Sequence, residues 1–340
     1  MPSAPAGATT AAGYPPAMSG PSTSVTSTPP AEPRPWRLLR WFALAAIIVN
    51  VVIVVTGGVV RVTGSGLGCV DWPTCDGTRI APVPGGDHAG WQTAVEFGNR
   101  LLTIPVLAAA VLVWWQARRT GPHTPTVRRL AVALPLGVVA QGLLGGVTVL
   151  TGLSPYTVAG HFLLSMLLIA TAVVLHERVR PQPPMPAPSR GVQHATTAVL
   201  LVAAVVLVLG TLVTGSGPHG GDIDAPRLGL DIRLMAIAHA DAVWLLVGLT
   251  IATAVVAWRA GPPRLRTAVR WLVIAELAQG GIGYLQYWLG VPPELVSLHI
   301  LGAAGVWLAT VATWIRARPR AVEPGTGEAT AVRSTQPAHP

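Results

Sequence analysis

Apolar residues in this chain gather into eight runs of about 20 residues, near 41–61, 92–115, 129–150, 158–176, 195–214, 234–258, 269–289 and 295–315. A run of that length, wound as an α-helix, reaches across the hydrocarbon core of a bilayer. The pattern therefore predicts an all-α, polytopic membrane protein with eight transmembrane helices. Polar punctuation between the runs is mostly arginine, and the chain has no lysine. Arg34, Arg37, Arg40, Arg118, Arg119, Arg128, Arg129, Arg178, Arg180, Arg190, Arg259, Arg264, Arg266, Arg270, Arg316, Arg318, Arg320 and Arg333 all fall on one side of such a layout. Arg61, Arg79, Arg100, Arg227 and Arg233 fall on or near the other. The positive-inside rule then puts both termini in the cytoplasm of a cell whose plasma membrane the chain crosses.

Composition sharpens this picture. Only 11% of the 340 residues are charged, 51% are hydrophobic and the mean hydropathy is +0.54, too few surface charges for a soluble chain of this length. The net charge of +9 would also suit a nucleic-acid binder. The arginines sit in clusters between apolar runs and line no polar face, which argues against nucleic acid and for a lipid partner. Residues 1–35 and 319–340 are rich in small and polar residues and read as disordered tails, neither of them resembling a signal peptide.

The chain also repeats itself. AQGLLGGVTVLTGLSPYTVAGH, from Ala140 to His161, returns in variant form from Ala278 to His299, with Ala140, Gln141, Gly142, Gly145, Gly152, Pro155, Val158 and His161 all recurring at an offset of 138. Each copy reads as a helix, a tight Gly/Pro turn, and a second helix bearing an early histidine. TGSG at Thr63–Gly66 returns at Thr214–Gly217, at the outer end of the first helix of each half. Two four-helix halves follow, 36–176 and 195–318, joined by a cytoplasmic linker at 177–194. An even number of helices per half gives both the same orientation, related by an axis along the membrane normal.

The candidate chemistry gathers near the outer face. His239 and His299 come early in two different helices of the second half, at matching depth, so their imidazoles can face each other and hold a haem iron from both sides. The plainer alternative is a pair of histidines hydrogen-bonded between helices. In the first half, His161 matches His299, but Asn99 stands where the repeat would supply His239. Asn99 lies 62 residues before His161, and His239 lies 60 before His299. Glu96 lies three residues before Asn99, on nearly the same helix face, so its carboxylate is expected in the same cavity. An intramembrane acid is a functional candidate, unless it sits close enough to the helix end to reach water. Glu276 is a second, weaker candidate nearer the cytoplasmic end.

Arg61 and Arg100 lie near the histidines in depth and are candidates to hold haem propionates, with snorkelling to headgroups the alternative for Arg61. Cys69 and Cys75, the only cysteines, share the first outer loop. A disulfide there is expected outside the cytoplasm, with its role structural or redox. His88, His123, His176, His194, His219 and His339 read as solvated.

At this point the residues resemble a known family. GGVVRVTGSGLGCVDWPTCDG (57–77), VEFGNRLL (95–102), AQGLLGGVTVLTGLSPYTVAGHF (140–162) and LHILGA (298–303) are similar to haem A synthase, the membrane enzyme that oxidises a methyl group of haem O to a formyl group. The resemblance covers the helical core and neither tail. It implies a 4+4 bundle, a haem b cofactor on His239 and His299, and substrate haem O on His161 beside Asn99, Arg100 and Arg61. It also implies Glu96 as the catalytic carboxylate, the Cys69–Cys75 pair in the outer loop, haem O synthase as a partner and an unidentified electron acceptor. This chain departs from the family pattern at Asn99, where many relatives have histidine, and in lacking a cysteine pair in the second outer loop. Two other classes compete. A non-catalytic b-type cytochrome needs good axial pairs in both halves, which Asn99 opposes. A transporter with parallel repeats needs charged residues near the midplane, whereas these cluster near the outer face.

Overall fold

The computed structural model describes residues 34–82, 90–121, 123–181 and 188–319. His88, His339 and most of both tails lie outside the described residues. The helices are α1 (Arg34–Val62), α2 (Gly90–Leu101), α3 (Thr103–Arg119), α4 (Pro125–Leu150), α5 (Pro155–Val179), α6 (Arg190–Ser216), α7 (Ile232–Ala260), α8 (Pro263–Trp288) and α9 (Pro293–Arg316). They match the eight apolar runs, because α2 and α3 form one span, Gly90–Arg119, whose helix is interrupted at Leu102. Pro105 explains the break, since it has no N–H to give the carbonyl of Leu101 and its ring crowds that oxygen.

Seven of the rods among the described residues are long and apolar enough to cross a membrane. The eighth, α8, has the length but carries Arg264, Arg266, Arg270 and Glu276. Starts are set by local chemistry. Thr124, Ser189 and Asp231 accept N-cap bonds from Val127, Val192 and Leu234, and α5, α8 and α9 open on proline, whose missing N–H costs nothing in a first turn. The first helix begins at Arg34, two residues inside the expected tail, and α5 and α6 reach three to five residues into the expected linker.

Within the first half, α1 packs on α3 and α5, and α4 packs on both of these; within the second, α6 packs on α7 and α9, and α8 on both. Each half is therefore a ring of four rods. The turns that carry the repeat have the same backbone. Gly152 and Leu153 have φ of 60° and 59°, and Gly290 and Val291 have φ of 73° and 64°. Leu153 N donates to Thr148 O at 2.9 Å, and Val291 N to Gln286 O at 2.8 Å. The internal repeat is thus written in main-chain geometry as well as in residue identity.

Burial is uneven along the rods. The tight core is built from residues such as Leu39, Val113, Leu134, Ile169 and Leu175 in the first half and Val199, Leu246, Leu265 and Leu272 in the second. Toward the histidine end it stops. No residue of α7 from 232 to 245, of α8 from 277 to 288, or of α5 from 155 to 164 is buried. Each ring is closed on the arginine-rich side and opens toward the other.

The halves are tied together at both levels. Arg61 donates from Nε to His219 O and from an Nη to Thr214 O, each at 2.6 Å, and Gly66 N donates to Gly221 O at 2.7 Å. Deeper in, Trp307 Nε1 of α9 donates to Met166 O of α5 at 2.8 Å.

Candidate functional site

His299, on the first turns of α9, faces His239 of α7 with ring centroids 6.5 Å apart. Nδ1 of His239 lies 3.1 Å from Val206 O on α6, a bond that only an Nδ1–H can donate, so Nε2 is the nitrogen left with a lone pair. Nδ1 of His299 is buried and has no hydrogen-bond partner among the described residues. A metal ion bonded to two imidazoles at about 2 Å each would hold the ring centres about 6 Å apart, so this pair fits one iron between its rings. The open, unburied stretch of α7 and α8 around it suits a flat cofactor better than a bare ion.

Both copies of the repeat seat their histidine in the same way. Gln141 Nε2 donates to His161 O at 2.7 Å, and Gln279 Nε2 to His299 O at 2.9 Å. A Cβ on Gly145 would meet His161 Cε1 at 3.0 Å, and one on Gly283 would meet His299 Cε1 at 3.2 Å. Gly210 does the same for His239, at 3.3 Å. Glycine lets the Cε1 corner of each ring approach the neighbouring helix, and in the two repeat copies glutamine fixes the backbone that carries the histidine. The repeat showed these residues in the sequence, but their task appears only when the helices are packed.

The first half is not a copy of the second. His161 has a buried Nδ1 with no hydrogen-bond partner among the described residues. Asn99, in the place of His239, accepts a hydrogen bond at Oδ1 from Thr56 Oγ1 of α1 at 2.7 Å. Its oxygen is thereby engaged. Three residues along a helix leave two side chains about 60° apart, enough here to send Glu96 to the outer loop, where Oε2 accepts from Cys69 N at 2.5 Å. Glu96 is buried, with 5% of its surface exposed.

Arg100 completes that arrangement. Its Nε and one Nη donate to Glu96 Oε1 at 3.0 and 2.6 Å, and its remaining bonds go to the carbonyls of Cys69, Asp71 and Thr74 at 3.0, 2.9 and 3.1 Å. A guanidinium has five N–H groups, and all five are used. Cys69 and Cys75 form a disulfide with Cα atoms 4.4 Å apart. The loop they close is pinned by a carboxylate and an arginine that read its backbone. Within it, the Asp71 carboxyl is held below the usual range, chiefly by the Trp72 N–H and then by the Thr74 hydroxyl. Trp72 packs so closely on α4 that a Cβ at Gly146 would lie 2.4 Å from its indole. Gly146 adjoins Gly145, the seat of His161.

Three other histidines differ from the solvated reading. His123 is 8% exposed and meets Trp36 edge to face, with ring centroids 4.8 Å apart. His219 Nε2 lies 2.9 Å from Val291 O, which ties the second outer loop to the repeat turn. His176 Nδ1 lies 3.3 Å from Arg40 O. His194 is exposed, as expected. Glu276 is buried and accepts from Thr250 Oγ1 at 2.8 Å. Among the described residues no group of three or more His, Cys, Asp or Glu could hold a metal ion, so the imidazole pair is the arrangement to explain.

Fold and site together define a polytopic helical membrane protein with an intramembrane pair of facing histidines in one half and a single histidine in the other. The chain belongs to the COX15-CtaA family, the cytochrome oxidase assembly proteins, which it matches over residues 40–219, more than half its length. It is similar to a heme A synthase of Lysinibacillus sphaericus, 33% identical over 141 residues, or 41% of this chain and 44% of that protein. A heme A synthase of Geobacillus kaustophilus is 32% identical over 141 residues, covering 41% of this chain and 43% of that one. One of Halalkalibacterium halodurans is 29% identical over 182 residues, covering 52% and 59%. The matches thus span about half the length of these curated relatives.

Proposed function

We propose that this protein oxidises a methyl group of haem O to the formyl group of haem A at the outer mouth of its first half, with haem b held as a cofactor in the second. The observation that carries this is the inequality of the halves. His239 and His299 face each other at 6.5 Å and would together hold the iron of a bound haem. His161 shares the Gln–Gly seat of His299, but the position matching His239 is Asn99, whose oxygen is already bonded to Thr56. A haem held on one side only is free to present its edge to other groups, as a reacting substrate must.

Bound haem b would supply a place for electrons drawn from the substrate before they pass to an acceptor. The chain's own residues do the rest. Turning a methyl into a formyl group removes electrons and protons and adds an oxygen atom from water, so a base and a counter-charge are needed near the reacting carbon. Glu96 is the carboxylate assigned to that task. Arg100, with all its donors spent on Glu96 and the loop, is a positioning residue and not a propionate clamp. Arg61, bonded to Thr214 O and His219 O, likewise joins the two mouths. The Cys69–Cys75 disulfide closes the loop that Glu96 holds. Both termini lie in the cytoplasm on this reading and the haem sites toward the outer face, with haem O synthase supplying the substrate.

The test is Glu96→Gln in the full chain. The amide keeps the shape and one oxygen that can accept from Cys69 N, but it loses the charge opposite Arg100 and turns its NH2 toward that guanidinium. Haem A formation should fall at least about a hundredfold, the lower range for removing a catalytic base, while the haem b spectrum and the resistance of the disulfide loop to proteolysis stay as in the parent. Unchanged haem A formation would remove Glu96 from the chemistry. Lost activity together with a cleaved loop would make it a structural pin.

A further inference from the structure

At the arginine-rich edge of the first half, Arg40, Trp41 and Leu44 of α1 and His176 and Arg180 of α5 line a cavity of about 330 Å³, well away from the histidine end. Among the described residues two arginines and a histidine line it, and no carboxylate does. Glu177, next to His176 in the chain, pairs with Arg180 at 3.0 Å and with Arg316 at 2.8 Å, so one of the two lining arginines already has a carboxylate partner. Arg180 keeps 41% of its side-chain surface exposed even so. The two helices meet here by the start of one and the end of the other, so the cavity lies where the bilayer's hydrocarbon gives way to headgroups. An apolar track leaves it along α1. Trp41, Ile48 and Val52 are 56%, 53% and 43% exposed, and with Leu44 they follow the spacing of one helix face. Tryptophan at such a depth is the usual anchor at a membrane interface.

We propose that this cavity binds the phosphate of an anionic phospholipid, with Arg40, His176 and Arg180 around the headgroup and an acyl chain along Trp41, Leu44, Ile48 and Val52. Basic pockets between transmembrane helices recognise acidic headgroups through charge-assisted hydrogen bonds. The apolar track selects a lipid over a free phosphate ion. The site needs a membrane edge but not a particular side, and it is independent of the haem chemistry.

Native mass spectrometry of the full chain in detergent tests it, with phosphatidylglycerol, phosphatidylcholine of the same acyl chains, and inorganic phosphate as probes. Phosphatidylglycerol should bind about tenfold more tightly than phosphatidylcholine, the effect of one charge-assisted hydrogen bond. Arg40→Gln and Arg180→Gln should each abolish that preference, and Arg40→Lys should keep most of it. If Arg40→Gln does not fold, Arg180→Gln decides, because that side chain stands at the surface. Equal binding of the two lipids, an unchanged preference in Arg180→Gln, or displacement of the lipid by inorganic phosphate alone would each overturn the proposal.

Discussion

His239 and His299 are held in different ways, and this sets what each substitution does. Nδ1 of His239 is fixed by Val206 O, whereas His299 depends on Gly283 beneath its ring and Gln279 on its carbonyl. If the pair ligates haem b as proposed, replacing either histidine by alanine should abolish its low-spin spectrum, because losing one strong-field ligand leaves a five-coordinate or weakly ligated iron. A six-coordinate spectrum surviving in His299→Ala would show that the pair only packs. At this scale the repeat marked His161 and His299, because a residue repeated at a constant offset stands out from generic apolar helix, while His239 was marked only by its matching depth. The sequence could not reveal the bonds of Glu96 and Arg100. Their partners are main-chain atoms of Cys69, Asp71 and Thr74, and no residue type marks a carbonyl that happens to face inward. His123 was hidden for a similar reason, since Trp36 lies far from it in the chain.

At the scale of elements, apolar run length identified every rod among the described residues, and Pro105 accounts for the break at Leu102. The repeat turn holds the least expected feature. Val291 sits at φ 64° and Leu153 at φ 59°, a region that costs an L-residue roughly 1–2 kcal/mol. Glycine escapes that cost but gives a looser unfolded chain, worth roughly 0.5–1 kcal/mol. Val291→Gly should therefore stabilise by up to about 1 kcal/mol, read as a higher thermal midpoint in detergent. Gly290→Ala, at φ 73°, should lower it. Opposite signs at adjacent positions test the turn itself, and equal signs would show that the repeat does not need this backbone.

For the molecule as a whole, topology decides which compartment meets the haem sites. The arginine partition supports an inward Gly121, between α3 and α4, and an outward Ile223, which is 94% exposed in the second outer loop. Reporter fusions at those two positions should read cytoplasmic and external respectively, and the reverse would carry every histidine to the other membrane face. Cores closed at the arginine-rich ends and open at the histidine ends give the two halves one polarity, which the sequence conveyed only through its parallel repeat. What the repeat could not convey was how the outer loops join, since Arg61 reaches Thr214 O and His219 O across more than 150 residues of chain.

The central claim is that the unequal halves make this protein an enzyme acting on haem and not a carrier of electrons. Co-expressing the chain with a haem O synthase in a host that lacks haem A, and separating the extracted haems by chromatography, measures this most directly. Haem A should appear only when both proteins are present. If the protein is folded and haem-loaded and the extract holds only haem B and haem O, the account is contradicted, and the paired histidines belong to a b-type cytochrome that leaves the porphyrin unchanged.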